Sequence, residues 1–260
     1  INFMQTLNYE GFLINNGDSK KIKDALVVEA ALQININNEP YTVVMRTPGD
    51  DFELIRGLLY AEDIYKGKDN ITFVIQEKRE NGFSIIDVTI PKKLLGKGFL
   101  NKRTLLSVSS CGICGKQKLE DIAIKGSKLK NHFNFDFQKI EELFSEMKAN
   151  QDTFDLSGGS HAAALFNTNY KLLAIKEDIG RHNAVDKVIG ELLLNNTLKD
   201  ANCMLVSGRV SYEIISKAFI AKIPYVIAVS ACSSLAVDFA KEFGISLIGF
   251  SRGKKATLYS

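Results

Sequence analysis

Cys203-Met204-Leu205-Val206-Ser207-Gly208-Arg209 is the stretch whose reading decides the fold. Four residues without a polar interruption end in Ser-Gly-Arg. A short apolar run bounded by turn residues reads as a strand buried on both faces. The unit recurs downstream. Tyr225–Ser230 and Ile245–Phe250 are further strand-like runs, and Tyr212–Ala221 and Leu235–Phe243 between them have helical spacing. Strand, helix, strand, helix, strand predicts a parallel core with right-handed crossovers.

Upstream, Ala162–Phe166 and Leu172–Lys176 read as strands around the turn Asn167-Thr168-Asn169. Asn183–Leu194 reads as an amphipathic helix, with Val185, Val188, Ile189, Leu192 and Leu193 on one face. Asp136–Lys148 reads as another helix, capped by Asp136. The first hundred residues are β-rich. Ala25–Ile36 and Tyr41–Arg46 flank Asn37-Asn38, and Phe73–Gln76 and Ser84–Ile90 flank Glu80-Asn81-Gly82. Asp50–Ile64 between these pairs reads as a helix with an Asp N-cap after Pro48-Gly49. The predicted fold class is α/β (α+β overall). A smaller β-rich domain spans 1–105, a mobile loop 106–130, and an α/β domain with a mostly parallel sheet 131–260.

A chain of 260 residues suffices for one large domain or two small ones. The net charge of +3 is compatible with an anionic ligand and argues against general nucleic-acid binding. No stretch approaches the roughly 18 apolar residues of a membrane span. Ile1-Asn2-Phe3-Met4-Gln5 lacks the basic and apolar regions of a signal peptide. Four cysteines are too few for a disulfide scaffold, so a reducing cytoplasm is expected.

Two of those cysteines form Cys111-Gly112-Ile113-Cys114-Gly115, followed by Lys116 and Lys118. Thiols react as thiolates, and nearby cations favour that form. The pair suits either sulfur chemistry or a metal. Structural zinc needs four ligands. A second chain, or His161 and His182, would have to complete the set. A zinc deaminase would require His-x-Glu upstream, and no His precedes Cys111.

Three segments leave the predicted parallel strands with small, polar or basic residues: Ser207-Gly208-Arg209, Ser230-Ala231-Cys232-Ser233-Ser234, and Phe250-Ser251-Arg252-Gly253-Lys254-Lys255. Open parallel sheets bind ligands beyond strand C-termini, and Gly-rich turns offer N–H groups to anions. With Arg209, Arg252, Lys254 and Lys255 these loops point to a phosphate-bearing ligand, although short βα loops favour Ser and Gly anyway. Arg181 and His182 open a helix, where cations oppose the helix dipole, and this local conflict hints at function. Asp178 or Asn183 could cap that helix. Cys203 reads as a core thiol and Cys232 as a non-catalytic thiol at a strand end.

The chain resembles the formate dehydrogenase accessory sulfurtransferase family, FdhD. The matching stretches are Arg46–Asp50, Ser109–Gly115, Gly159–Ala163, Glu177–Lys187, Ser207–Glu213 and Gly249–Arg252, in order along the chain. Ala231-Cys232-Ser233-Ser234 departs from the pattern, which there reads Ala-Pro-Thr. The resemblance implies a persulfide carrier with Cys111 as the sulfur-bearing residue and Cys114 as its partner. It implies sulfur transfer from a cysteine desulfurase to the molybdenum or tungsten bis-pterin guanine dinucleotide cofactor of formate dehydrogenase. That cofactor is a bound substrate, of which GDP is a partial mimic, and no permanently bound metal is expected. Phe250–Lys255 corresponds to the family's cofactor-binding stretch, with Arg181, His182 and Arg209 as expected neighbours. A cytidine-deaminase-like larger domain and a homodimer are also implied. Two alternatives remain: a cofactor-binding chaperone with structural cysteines, and a zinc-bridged scaffold.

Overall fold

The computed structural model describes residues 5–67, 71–100, 126–130 and 133–260. Thr6–Asn15 (β1) and Asp18–Val27 (β2) form a two-stranded antiparallel ribbon. Ala30–Ile36 (β3) and Glu39–Arg46 (β4) form a hairpin. Its turn residues Asn37 and Asn38 have φ of 54° and 67°, a region that Asn tolerates. Asp51–Ala61 (α1) precedes Thr72–Lys78 (β5) and Ser84–Thr89 (β6). The four strands order as β4-β3-β6-β5, with β3 and β6 parallel. Leu54, Ile55, Leu58 and Leu59 of α1 bury one face of this sheet against Leu32, Ile34, Ile86 and Val88.

The second half contains Ile140–Lys148 (α2), Asp152–Ser157 (α3), His161–Phe166 (β7), Leu172–Asp178 (β8) and Arg181–Leu194 (α4). Cys203–Val206 (β9), Tyr212–Ile220 (α5), Tyr225–Ala228 (β10), Ser234–Phe243 (α6), Ser246–Arg252 (β11) and Lys255–Leu258 (β12) complete it. One six-stranded sheet runs β12-β11-β10-β9-β7-β8. Apolar residues of α4, α5 and α6, such as Val188, Ile215 and Phe243, pack on Met204, Val226 and Leu247. Ile140, Leu143 and Met147 of α2 pack with Leu205, Ile227 and Ile248 in a separate cluster. Successive strand residues face opposite ways, so these two clusters lie on opposite faces and make three layers.

The fold class is as expected, and the sheet departs from it in one respect. It is mixed: β9, β10 and β11 are parallel, while β7, β8 and β12 pair antiparallel. The short β7–β8 and β11–β12 connections leave no length for a crossover. β1, β2, α3 and β12 were not anticipated. Of the expected caps, one is in place without its bond and one is a different residue. Asp50 occupies the N-cap of α1 in left-handed conformation, φ 54°, without a side-chain cap bond; its carboxylate instead accepts from Lys176 Nζ at 2.7 Å. Gly180, rather than Asp178 or Asn183, is the N-cap of α4. Asp136 caps, through Oδ1 accepting from Gln138 N, the 3-10 turn Phe137–Lys139 that leads into α2, and the N-cap of α2 itself is Lys139.

α1 packs across α4 at two glycines. A Cβ on Gly190 would lie 1.8 Å from Glu53 O, and one on Gly57 would lie 2.0 Å from Asp186 O. Backbone therefore touches backbone, and α1, which covers the N-terminal sheet, is held against α4, which covers the six-stranded sheet. No helix among the described residues is long and apolar enough to cross a membrane.

Candidate functional site

β7 and β8 run antiparallel to each other, and β7 antiparallel to β9, so one end of the large sheet collects several termini. The end of β9 reaches Ser207, whose Oγ accepts from Ala162 N at 2.9 Å, so it stands beside the start of β7. His161 opens β7 and pairs with Asp178, the last residue of β8. Arg181 then starts α4. A Cβ on Gly208 would come to 3.2 Å from His161 Nδ1 and 3.4 Å from Arg181 Cβ, so these segments meet at Gly208. The next two strand ends are tied to them. Val210 bridges to Cys232 beyond β10, and Phe250 N donates to Ser230 O at 3.0 Å.

The rim of this end is basic. Arg209, Arg252, Lys254 and Lys255 are exposed. Arg252 Nε reaches Val229 O only at 3.4 Å, a long contact that leaves its guanidinium weakly held. Nε of Arg181 and Oγ of Ser251 are buried and find no hydrogen-bond partner among the described residues. Burial lowers the His161 pKa, Arg181 and Arg209 lower it further, and Asp178 opposes them. The imidazole is therefore neutral at pH 7. Phe250 is 47% exposed and held at φ 51°, a conformation a bulky residue seldom adopts. Such outliers cost on the order of 1–3 kcal/mol and cluster at functional sites.

The expected ligand stretch has a different local form. Arg252 does not follow a last strand. Phe250, Ser251 and Arg252 belong to β11, Gly253 and Lys254 form a tight turn, and Lys255 starts β12. The register shifts between Gly249 and Arg252, which aims Phe250 outward while Ser251 is buried.

His182 faces inward. Its Nε2 lies 3.2 Å from Ser211 Oγ and 3.5 Å from Glu213 Oε2. Glu213 is 3.7 Å from Lys217, whose Nζ donates to both oxygens of Asp186 at 2.7 and 2.8 Å. Burial pulls the Lys217 pKa down, and Asp186 and Glu213 more than offset it, so the group stays charged. This chain of charges ties α4 to α5 directly behind the rim. Asp186 and Glu213 fall inside the stretches that carry the resemblance, where sequence alone does not single them out, and Lys217 lies outside them.

Much of the remaining family-like sequence lies in a polar seam between the two sheets. Lys187 Nζ pairs with Asp178 Oδ2 at 2.8 Å and donates to Thr47 O at 2.9 Å. Asp178 also accepts from Thr47 N, Gly180 N and Asn183 Nδ2. Arg46 grips Asp51 through Nε and Nη2 at 2.8 and 2.9 Å and donates to Ala30 O and Gly82 O. These groups are consumed by one another and hold the rim in place.

The structure also places the thiols that it describes. Cys203 is buried in β9, and burial raises its pKa strongly. Cys232 is half-buried, with its pKa pushed up to about 11 by burial. Cys111 and Cys114 lie outside the described residues, as do Lys116 and Lys118. A cavity of about 440 Å³ opens elsewhere, beneath the β1–β2 ribbon, between Gln5, Pro48, Asp50, Asp152 and Leu156. Its charged groups are carboxylates, which suit a phosphate ligand poorly.

The model of the FdhD/NarQ family matches residues 27–260. A curated relative from Saccharolobus solfataricus, named sulfur carrier protein FdhD, is 40% identical over 257 residues, covering 95% of this chain and 94% of its own. One of the same name from Streptomyces avermitilis is 37% identical over 256 residues, covering 95% and 91%. In fold, the chain is similar to a crystal structure described as a formate dehydrogenase accessory protein, from Desulfotalea psychrophila. The TM-score is 0.78 at 21% identity, covering 98% of this chain and 97% of that one.

Proposed function

This chain belongs to the FdhD/NarQ family, and we propose that it carries sulfur as a persulfide on Cys111, taking it from a cysteine desulfurase and delivering it to a molybdenum or tungsten bis-pterin guanine dinucleotide destined for formate dehydrogenase. The names of the curated relatives support sulfur carriage. The observation that carries the cofactor half is the convergence, at one end of the large sheet, of three arginines, a Ser251 hydroxyl without a partner among the described residues, and the strained, outward-facing Phe250. Guanidinium forks match phosphate oxygens, and an aromatic face suits a flat base.

The sulfur step needs no outside oxidant. The Cys111 thiolate attacks the outer sulfur of a donor persulfide, a new S–S bond forms, the donor S–S bond breaks, and the donor cysteine leaves as thiolate. Cys114 can then attack Sγ of Cys111, giving a Cys111–Cys114 disulfide and releasing the carried sulfur as hydrosulfide. Cys232 is a poor first acceptor, because its raised pKa keeps it a thiol at neutral pH.

Incubation with a cysteine desulfurase and cysteine, followed by mass spectrometry, tests the carriage. Cys111 should gain the mass of one sulfur atom, and Cys111→Ala should neither load nor support formate dehydrogenase activity in cells lacking their own copy. Full activity of that variant overturns the carrier role of Cys111. Cofactor binding without loading would instead favour a chaperone. GDP should bind the purified protein more tightly than ADP in calorimetry. Equal or absent binding removes the guanine reading.

A further inference from the structure

Ser211 stands just before the first residue of α5 and has the extended backbone of an N-cap, with φ −102° and ψ 169°. A serine at that place ordinarily turns its hydroxyl oxygen onto an amide of the first helical turn. Ser233 does so at the start of α6, where its Oγ accepts from Ala236 N at 3.2 Å. Ser211 makes no such bond. Its Oγ lies 3.2 Å from His182 Nε2 instead, and His182 is the only partner of that hydroxyl among the described residues.

The surroundings decide which group donates. Nε2 of His182 also lies 3.5 Å from Glu213 Oε2. Lys217 Nζ stands 3.7 Å from the other oxygen of Glu213 and 2.7 Å from Asp186, and all four side chains are buried. The Glu213 carboxylate, beside that ammonium, only accepts hydrogen bonds. The imidazole nitrogen facing it therefore carries a hydrogen, whether the ring is neutral or charged. With a hydrogen there, Nε2 has no lone pair to offer Ser211. The hydroxyl accepts, and its own hydrogen is left over. Ser211 is half-buried and follows exposed Arg209 and Val210, which bridges to Cys232 at the next strand end. The spare hydrogen thus belongs to the rim.

We infer that Ser211 is a further binding residue of the rim, its hydroxyl donating to a phosphate oxygen of the ligand, with His182 and Glu213 as positioning residues that hold the hydroxyl in a donating orientation. The inference rests on the reading of the rim as a guanine dinucleotide site. A hydroxyl that accepts from an N–H is polarised into a better donor. An anionic acceptor suits it, because the first amides of α5 are left without a side-chain cap beside it and Arg209 is two residues away. The buried charges of α4 and α5 thereby gain a use at the surface: they set the direction of one hydrogen bond.

Calorimetry of the full chain with GDP and with inorganic pyrophosphate tests this. Ser211→Ala should weaken both by the same factor, roughly ten- to a hundredfold for one hydrogen bond to a charged group. Its urea unfolding should match the wild type, since no cap bond is lost. Ser211→Thr keeps the hydroxyl and should keep the affinity. His182→Leu should weaken binding, and His182→Gln, which retains an N–H within reach of Ser211, should restore it. Arg252→Ala separates this inference from the reading it rests on. If that variant loses GDP while Ser211→Ala binds as the wild type does, the rim reading stands and the role of Ser211 falls. A wild type that binds neither ligand overturns both. A wild type that binds GDP but not pyrophosphate, or a loss confined to GDP, gives the hydroxyl to the nucleoside and overturns the phosphate assignment. Equal binding by the two His182 variants overturns the positioning role.

Discussion

The seam between the two sheets and the rim at the strand ends contain the same residue types, and they use them in opposite ways. In the seam Arg46, Asp178 and Lys187 are buried, and each is held by several partners within about hydrogen-bond length. At the rim Arg209 and Arg252 stand in solvent, Arg252 with one long contact among the described residues, and Arg181 and Ser251 bury atoms without a partner among them. Fully satisfied buried charges fix geometry, whereas unsatisfied ones at an open edge are available to a ligand. The seam is therefore the scaffold of the rim, and damage to the two should be read by different measurements.

The largest effect belongs to the seam. Asp178→Ala removes the carboxylate that holds Lys187, Thr47 N and Asn183, and leaves an ammonium buried without its counter-charge. Breaking one member of a buried pair costs about 3–5 kcal/mol. Urea unfolding should show that loss. A cost below about 1 kcal/mol would mean that the seam relaxes easily, and the contrast with the rim would collapse.

Arg252→Ala should invert the pattern. The side chain is exposed and makes one weak contact, so unfolding should hardly change. GDP affinity should fall by roughly ten- to hundredfold, the equivalent of about 1.5–3 kcal/mol for a charge-assisted contact. Persulfide loading of Cys111 should persist. A variant that loses loading but binds GDP normally would show that the basic rim serves the sulfur step instead.

The difference between seam and rim was only partly legible in the sequence. Both are built from the same family-like stretches. Strand and helix positions could be read because their periodicity is local, as with Cys203–Val206 and Leu235–Phe243. Asp178 accepts from Thr47, 131 positions away, and no local pattern encodes that pairing. Arg181 and His182 looked alike as cations opposing a helix dipole. The structure separates them: Arg181 borders the rim, and His182 turns into the charged chain behind it. The β1–β2 ribbon escaped notice because lysines interrupt β2, although Asn16-Gly17 is a strong hairpin signal. β12 was hidden by its basic start, Lys254-Lys255, which reads as a loop.

The smallest expected effect, and the sharpest test of the contrast, concerns His161. It pairs with Asp178 where rim and seam meet, and Arg181, Arg209 and Asp178 all act on its charge. Burial, then the two arginines, hold its pKa below the ordinary 6.5. In the free protein the folded state therefore binds a proton less readily than the unfolded chain. The resulting stability is fully present above about pH 6.5 and declines as pH falls below it. A diphosphate bound at the rim, as proposed, would reverse the local field. Negative charge beside Arg181 and Arg209 would raise the His161 pKa, so binding should take up part of a proton and strengthen as the solution is acidified. Acid should thus weaken the fold while tightening the ligand. The nucleotide's terminal phosphate titrates near pH 6 as well, so the readout is a difference. GDP calorimetry in two buffers of unlike ionisation enthalpy should show less proton uptake for His161→Gln than for the wild type. Equal uptake by both proteins would place the phosphates away from His161 and confine the ligand to the β10 and β11 ends of the rim.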